Sequence, residues 1–489
     1  MNLYKAYGDR TVLDVDSIEL RRGEKIGLVG RNGAGKSTFL AVLAGEASPD
    51  EGEIDARGVV SIVRQEQDRG GFGESLNRAA QRPGRAFSSS SLSENPSGGE
   101  LTRAAIDAAL AASPDILLAD EPTTNLDING VERLQAELAA FRGALVVVSH
   151  DRALLDAVCD EIWEIDDGNL RQFPGNYSAW LVQREHERNF AEFEYEEYRR
   201  EENRLRESAR KVKERARAGK VTRPPSRMSS SEARINPAKG SDAQASVAAK
   251  ARATLKRVAM LEKKDRPKDL PEIKMALGIS SPLTSGGAIR ATGLSVSFGD
   301  RAIFEDAAFE VTTSKRTILL GPNGSGKTTL LGLIERGVPP VRVAPTAKIG
   351  YFDQNHESID PNRTILQNAR DISSLPEYEV RTILARLEIK GDDVHKECGV
   401  LSGGERAKVA FARLIASDLN TLVFDEPTNH IDLYTAEALE SLLFAWRGTL
   451  LVATHDRRLI ESIGERLLII EDKKIRTYEG TWSEYLERR

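Results

Sequence analysis

The sequence predicts an α/β protein in which two similar domains are joined by a long antiparallel α-helical hairpin. Three observations predict this class. Many short segments occur twice in the same order. Within each copy, apolar runs typical of buried strands alternate with helical patterns. Between the copies lies a highly charged stretch that could not build a core. We place the domains at residues 1–177 and 273–489, and the hairpin at residues 178–272 with its tip at about 218–241.

Composition limits the class of protein. The 489 residues are 40% hydrophobic and 29% charged, as in an ordinary globular chain. The longest apolar runs, such as Ala144–Val148, are far shorter than the ~20 residues of a membrane-spanning helix. The two cysteines, Cys159 and Cys398, are far apart and do not indicate a disulfide framework. We therefore expect a soluble, cytoplasmic protein without a membrane partner.

The charge is distributed unevenly along the chain. The formal net charge is −6, yet the segment from Asn203 to Lys268 contains 20 Lys/Arg residues and only 6 Asp/Glu residues. The rest of the chain is therefore strongly acidic. One basic segment on an acidic protein predicts a localised contact with a polyanion.

The two copies are in register. YGDRTVL, from Tyr7, returns as FGDRAIF, and GRNGAGKST, from Gly30, returns as GPNGSGKTT, both at a spacing of 291 residues. SGGE, the DEP segment and the S/THDR segment recur at a spacing of 305. A tandem duplication with one 14-residue length difference explains both spacings.

Each copy contains a GxxxxGK[ST] loop between an apolar strand and a helix, the context of a phosphate-binding loop. In such a loop Lys36 and Lys327 reach the β- and γ-phosphates of a nucleotide, and Ser37 and Thr328 ligate Mg²⁺. The predicted loop contacts to ATP are Gly30, Asn32, Gly33, Gly35, Lys36, Ser37 and Thr38 in the first copy, and Gly321, Asn323, Gly324, Gly326, Lys327, Thr328 and Thr329 in the second.

Two further strands in each copy end in polar residues suited to ATP hydrolysis. An aspartate at a strand end can hold Mg²⁺, the following glutamate can polarise an attacking water, and a histidine after the next strand can contact the γ-phosphate. Taken singly, such an acid could be a helix cap and such a histidine a surface residue; their order after two phosphate loops favours catalysis. The residues are Asp120, Glu121 and His150 in the first copy, and Asp425, Glu426 and His455 in the second.

The phosphate loop, SGGE motif and DEP…H order resembles the nucleotide-binding domain of ATP-binding-cassette (ABC) proteins. The resemblance implies that the SGGE motif of each domain, or cassette, contacts ATP held by the other, so that one chain forms two composite sites as a monomer. It also implies that Tyr7 and Phe298 stack on adenine, and that Gln65 and Gln354 sense Mg²⁺ and water. The motif residues are Ser97, Gly98 and Gly99, and Ser402, Gly403 and Gly404. Pro96, where the second copy has Leu401, suggests that the two sites are unequal.

The segment between the cassettes predicts two helices. Residues 178–217 lack Pro and Gly, and pairs such as Glu196/Arg200, Glu202/Arg206 and Glu207/Lys211 have i,i+4 spacing. Aromatic residues near its start, including Phe190 and Phe193, predict packing against the first cassette. A second helix is expected from Asp242 to about Lys264.

A solvated linker is the simpler alternative, but the one-signed charge and long tip favour RNA contact. The candidate residues for this contact are Arg210, Lys211, Lys213, Arg217, Lys220, Arg223, Arg227, Met228, Arg234 and Lys239.

Twin cassettes with a basic helical linker resemble the F class of ABC proteins. The resemblance implies binding to the exit (E) site of the ribosomal large subunit, with the linker reaching the P-site tRNA and the 23S rRNA near the peptidyl-transferase centre. Two features make the chain more similar to the antibiotic-resistance members than to the housekeeping members. Its tip is long, and only 32 positions separate Gln65 from Ser97, where housekeeping members often carry an inserted arm. Housekeeping translation control stays an alternative. A transporter ATPase subunit and a DNA-repair ATPase are disfavoured, since no membrane span, long coiled coil or zinc motif is seen.

Overall fold

The computed structural model describes residues 3–8, 10–64, 98–218, 249, 253, 256, 257, 260, 264, 286–353, 356–387, 389–429 and 431–488, with the side chains of residues 212, 213 and 215–218 outside that description. The chain divides into two compact units. One comprises Met1–Trp180 together with Leu270–Arg489, and the other comprises Leu181–Asp269. Both cassettes therefore belong to one unit. The domain boundaries at 177/178 and 272/273 stay predictions.

The described part of the first cassette alternates strands and helices. In chain order these are β1 (Leu3–Tyr7), β2 (Arg10–Val15), β3 (Lys25–Gly30), α1 (Lys36–Leu43), β4 (Val60–Val63), α2 (Gly98–Ala111), β5 (Ile116–Asp120), α3 (Ile128–Ala140), β6 (Ala144–Val148), α4 (Arg152–Val158), β7 (Glu161–Asp166), β8 (Asn169–Pro174) and α5 (Tyr177–Ala218). Aspartates start two of these helices: Asp127 accepts a hydrogen bond from the Gly130 N–H, and Asp151 from the Leu154 N–H.

The second cassette repeats this order. Its elements are β9 (Gly287–Phe298), β10 (Arg301–Thr312), β11 (Arg316–Leu320), α6 (Lys327–Arg336), β12 (Arg342–Val343), β13 (Ile349–Phe352), α7 (Ile365–Arg370), α8 (Glu377–Arg386), α9 (Gly403–Ile415), β14 (Thr421–Asp425), α10 (Leu433–Ala445), β15 (Thr449–Ala453), α11 (Arg457–Ile463), β16 (Arg466–Glu471), β17 (Lys474–Glu479) and α12 (Trp482–Arg488). The capping aspartates recur as Asp432 and Asp456. Two short 3₁₀ helices, Gly391–His395 and Cys398–Val400, precede α9.

The two large sheets have the same strand order. The first runs β4-β5-β6-β3-β7-β8 and the second β13-β14-β15-β11-β16-β17. All neighbouring pairs are parallel except the last pair of each sheet. Central strands such as β6 and β15 are buried on both faces, which explains their unbroken apolar sequences. Because parallel strands end on the same edge, β3, β5 and β6 bring the phosphate loop, the acidic pair and the histidine together.

Large apolar side chains hold each sheet against its helices. In the first cassette the Phe39 ring meets Trp163 edge-on, with ring centroids 6.3 Å apart. In the second, Phe352 stacks on Phe411 at 4.4 Å. Burying such a side chain contributes about 1.5–3 kcal/mol. Both cysteines are free and buried, and burial raises the pKa of the Cys159 thiol to about 12.

Helix α5 confirms the first predicted linker helix. The three i,i+4 pairs also form, with nitrogen–oxygen distances of 2.8 Å for Glu196/Arg200, 2.7 Å for Glu202/Arg206 and 2.8 Å for Glu207/Lys211. Two of these pairs are exposed and stabilise the helix only weakly, whereas Glu202 is buried. Of the second predicted helix, residues 249, 253, 256, 257 and 260 are described and are helical. Lys264 Nζ lies 3.5 Å from Glu194 Oε1. The chain therefore passes beside α5 again at Lys264, as an antiparallel hairpin requires.

The expected burial of the aromatic residues in early α5 is wrong for two of them. Phe190 and Phe193 are 64% and 56% exposed. Apart from each other, their neighbours at three and four positions along the helix are polar, and four of them are glutamates. The apolar stripe is therefore too narrow to form a buried face.

Candidate nucleotide-hydrolysis sites

The two phosphate loops have the same conformation. Gly35 and Gly326, each just before the loop lysine, have φ angles of 106° and 100°. A Cβ at Gly326 would lie 2.4 Å from Ile303 Cγ2, so an alanine there is strained and also clashes. Each loop then passes into a helix whose N-terminal N–H groups can bind phosphate.

Each loop lysine is folded back over its own loop. Lys36 Nζ donates to the carbonyl oxygens of Gly30 at 2.9 Å and Arg31 at 3.0 Å. Lys327 Nζ donates to Gly321 at 2.9 Å and Pro322 at 3.3 Å. Burial lowers the pKa of both lysines, and nearby carboxylates oppose that shift. The ammonium groups therefore lie where nucleotide phosphates enter the loop.

A glutamate and a histidine form a pair in each cassette. Glu121 accepts a hydrogen bond from the His150 N–H at 3.2 Å, and its Oε1 lies 3.1 Å from His150 Nε2. The same contacts measure 3.2 Å and 3.4 Å between Glu426 and His455. Both glutamates have φ near +49°, a region that non-glycine residues rarely adopt. Paired strain at equivalent positions is typical of a functional site.

Burial shifts the pKa values of Glu426 and His455 in opposite directions. It raises the pKa of Glu426 to about 8, although Lys327 opposes the shift. Burial, aided by the Lys327 charge, lowers the pKa of His455 to about 3. The imidazole is therefore neutral at pH 7 and can accept a hydrogen bond from Lys327 Nζ, 2.9 Å from its Nε2. An elevated pKa makes the ionised carboxylate a stronger base toward water.

The strand-end aspartate of the second cassette fits a metal ion. Asp425 is 1% exposed, and the hydroxyl of Thr328 lies beside its carboxylate. Burial raises its pKa, and the nearby Thr328 hydroxyl and Lys327 oppose the shift. A buried carboxylate beside a threonine hydroxyl is an oxygen donor set that Mg²⁺ prefers.

The structure forms a composite site between the cassettes. We call the site built on Lys36 the first site and the site built on Lys327 the second site. A cavity of about 490 Å³ at the second site is lined by its phosphate loop and by Gly98 and Gly99 of the other cassette. Asn323 Nδ2 donates to the Asn125 carbonyl oxygen at 2.5 Å across this junction. The site's two halves are thus brought together within one chain.

Several predicted residues lie at or near the cavity, and others are separate from it. The predicted residues that line it are Gly98, Gly99, Glu121, His150, Phe298, Asn323, Gly324, Gly326, Lys327, Thr328, Thr329, Asp425, Glu426 and His455. Tyr7 and Phe298 are 57% and 62% exposed, as a base-stacking surface must be. In the other cassette Ser402 is exposed and starts α9 in a capping box with Glu405. Gln65, Ser97 and Gln354 fall outside the described residues.

Sequence reasoning assigned no role to two aspartates that act across the junction. The Asp432 charge raises the pKa of Lys36, and the Asp127 charge raises that of Lys327, each from the opposite cassette and against the effect of burial. Both residues occupy equivalent positions after the DEP segment in the sequence, but their proximity to the lysine of the opposite cassette arises only when the two cassettes pack together.

Two arginines support the phosphate loops and were also missed. Arg10 donates to the Gly33 carbonyl oxygen at 3.0 Å, and Arg301 to that of Gly324 at 3.3 Å. The repeated GDR triplet was the available signal. Arg301 also lines the cavity of the second site.

Replacing Arg301 with alanine should weaken ATP binding at the second site. We expect the KM for ATP to rise about three- to tenfold, as for the loss of one hydrogen bond that fixes the loop. The measurement is steady-state hydrolysis in the Glu121→Gln background, which leaves the second site to turn over. Arg290→Ala, at an exposed position on β9, is the control. An unchanged KM for ATP would show that Arg301 does not contribute to ATP binding at the second site.

Related arginines join the cassettes on both sides, but their partners differ. Arg152, 3% exposed, donates to Glu440 Oε2 at 2.7 Å. Arg457, at the equivalent position, donates to Gln135 Oε1 at 3.0 Å. One half therefore has an ion pair where the other has a neutral partner. The junction is similar on the two sides without being identical.

Comparison with known proteins agrees with this geometry. The family model described as ABC transporter matches residues 13–124 and 304–429. No helix in the described ranges has the length and apolar character needed to cross a membrane. The solved structure of an RNase-L inhibitor has the same fold, with a TM-score of 0.62 at 20% identity over 100% of this chain and 92% of that one.

Two curated relatives align along nearly the whole chain. The ribosome protection protein VmlR of Bacillus subtilis is 30% identical over 482 residues, which cover 96% of this chain and 85% of that protein. The energy-dependent translational throttle protein EttA of Mycobacterium tuberculosis is 29% identical over 558 residues, covering 99% and 94%. The chain therefore belongs to the F class of ATP-binding-cassette proteins, the ABC-F family, and is an ATPase.

Proposed function

We propose that this chain is an ATP-dependent factor that binds the E site of the ribosomal large subunit and protects the ribosome from antibiotics. The alignment with a ribosome protection protein over 96% of the chain carries the proposal, because it extends through the linker as well as the cassettes. In the cell we expect a cytoplasmic, ribosome-associated monomer whose two cassettes pair with each other.

ATP supplies the control of binding in this proposal. Two nucleotides join the halves of the composite sites and favour the closed cassette pair, and hydrolysis releases it. Asp120 with Ser37, and Asp425 with Thr328, are the residues that would hold Mg²⁺, which when bound neutralises phosphate charge during hydrolysis. Glu121 and Glu426 act as general bases, and His150 and His455 orient them.

The basic linker gives the proposal its RNA partners. We expect its tip to reach the P-site tRNA and the 23S rRNA near the peptidyl-transferase centre. Arg210 and Lys211 are exposed, and each is paired with a glutamate on α5, Glu214 and Glu207, at 2.9 Å and 2.8 Å. Exposed pairs of this kind are weak, so a phosphate can displace the glutamate. The contacts expected of Lys213, Arg217, Lys220, Arg223, Arg227, Met228, Arg234 and Lys239 lie outside the described residues.

ATP should trap a hydrolysis-deficient variant on ribosomes. We expect the Glu121→Gln/Glu426→Gln protein to sediment with ribosomes when ATP is present, because it closes and cannot reopen. The same variant with ADP is the control and should stay free. A variant that remains in the supernatant with ATP would overturn the ribosomal part of the proposal.

Protection should depend on the linker tip. Replacing residues 219–240 with a short Gly/Ser connection should abolish resistance to drugs that act at the peptidyl-transferase centre or tunnel, while ATP hydrolysis by the purified protein persists. The measurement is the inhibitory concentration in a sensitive bacterium expressing each form. If the intact chain changes sensitivity to none of these drugs, the housekeeping function suggested by the alignment with EttA is the better assignment.

A further inference from the structure

The first site has a contact between the cassettes that the second site cannot form. Tyr434, two residues after Asp432, is only 9% exposed at the start of α10. Its hydroxyl donates to Glu164 Oε1 of the first cassette at 2.6 Å, and Glu164 is itself 1% exposed. A short hydrogen bond to a buried carboxylate is among the stronger hydrogen bonds in proteins.

The ring of Tyr434 also contacts the first phosphate loop. The guanidinium carbon of Arg31 lies 5.6 Å from the ring centroid, within the range of a cation–π interaction. Arg31 is the residue whose carbonyl oxygen accepts a hydrogen bond from Lys36. The ring also meets Trp180 edge-on, with ring centroids 6.3 Å apart. Tyr434 therefore connects the second cassette to the loop that holds the first nucleotide.

The neighbouring contacts fix the start of α10 in the same place. Tyr177, fully buried, donates from its hydroxyl to Glu437 Oε1 at 3.0 Å. Arg152 donates to the Leu433 carbonyl oxygen at 3.5 Å as well as to Glu440. Tyr434 is thus held on a well-anchored helix end, and its position is determined by several contacts.

The duplication supplies an internal comparison. At a spacing of 305 residues, Tyr434 corresponds to Asn129 and Glu164 to Ile469, and at a spacing of 291 Arg31 corresponds to Pro322. Neither the hydroxyl–carboxylate bond nor the cation–π contact can form from these residues. Asn129 is exposed, whereas Tyr434 is buried.

We propose that Tyr434 is a positioning residue that locks the first phosphate loop to the opposite cassette, so that the first site retains its nucleotide longer than the second. Opening the junction at the first site breaks the contacts of Tyr434 with Glu164 and Arg31. Opening at the second site breaks the bond from Asn323 to the Asn125 carbonyl oxygen, but among the described residues it breaks no contact that corresponds to those of Tyr434. The proposal concerns ATP binding by the protein alone and does not depend on a ribosomal function.

Release of labelled ATP from each site tests this proposal directly. The Glu121→Gln/Glu426→Gln protein is loaded with radiolabelled ATP and chased with unlabelled ATP, so that hydrolysis does not interfere. We expect a slow and a fast phase of release. Adding Lys36→Ala should remove the slow phase, and adding Lys327→Ala should remove the fast phase. A single phase, or the opposite assignment, would overturn the proposal.

Variants at position 434 then identify the cause of the slow phase. Tyr434→Leu should accelerate the slow phase about tenfold or more, as for the loss of a charge-assisted hydrogen bond, and leave the fast phase within about twofold. Tyr434→Phe keeps the ring over Arg31 and should have a smaller effect. Asn129→Ala, at the equivalent position, should change neither phase. Equal acceleration of both phases by Tyr434→Leu, or of neither, would contradict the proposal.

The phenylalanine variant also guards against a general loss of structure. Thermal unfolding of each variant shows whether it is folded before release is measured. If Tyr434→Leu does not fold, a selective acceleration of the slow phase by Tyr434→Phe supports the proposal, and unchanged release by Tyr434→Phe contradicts it.

Discussion

Replacing both Glu121 and Glu426 with glutamine should reduce ATP turnover about 10²–10⁴-fold, the usual contribution of a general base, and leave ATP binding intact. Glutamine has the same shape as glutamate and keeps an oxygen that can accept the N–H of His150 or His455. It cannot take a proton from water. The expected loss is therefore in kcat, with little change in the KM for ATP.

Two measurements separate this effect from damage to the fold. Phosphate release gives kcat and KM, and equilibrium binding of a fluorescent nucleotide gives affinity. Glu132→Gln, at an exposed position of α3, is the matched control and should behave as the parent. Turnover above about a tenth of the parent rate in the double variant would mean that neither glutamate is the general base.

Gly99→Ala should inactivate the second site through the opposite cassette. A Cβ at Gly99 would lie 2.5 Å from the Asn125 carbonyl oxygen and 3.3 Å from Asn323 Nδ2. Main-chain atoms cannot yield as a flexible side chain does, so the loop containing Asn125 must move away from the second phosphate loop. We expect hydrolysis at the second site to fall about 10- to 100-fold, since a displacement near 1 Å at a reacting centre can cost two orders of magnitude.

The comparison uses the Glu121→Gln background, in which the second site turns over. Gly332→Ala is the matched control, because its Cβ would meet only the guanidinium end of Arg336 at 3.5 Å and alanine favours the helix. If Gly99→Ala had the activity of the parent, the close packing of Gly99 against the Asn125 carbonyl oxygen would not be needed for hydrolysis.

Much of each cassette could be predicted because its chemistry is local. The glycines of the phosphate loop, the strand before it and the helix after it are consecutive in the chain, so the GxxxxGK[ST] pattern specifies them together. The i,i+4 pairs of α5 are equally local, and all three predicted pairs form. The burial of Phe190 and Phe193 failed as a prediction, because exposure depends on what surrounds a helix and not on its composition alone.

The sequence by itself determined the duplication, the order of strands and helices that carry the site residues, and the basic character of the linker. Each of these is a repeat, a period or a sum over consecutive residues. Only the tertiary structure decided which groups meet between the cassettes: the partners of Arg152 and Arg457, the reach of Asp127 and Asp432, and the bond from Tyr434 to Glu164. These contacts join residues about 200 to 400 positions apart. No local pattern encodes them, because packing of two complete cassettes determines which side chains face one another.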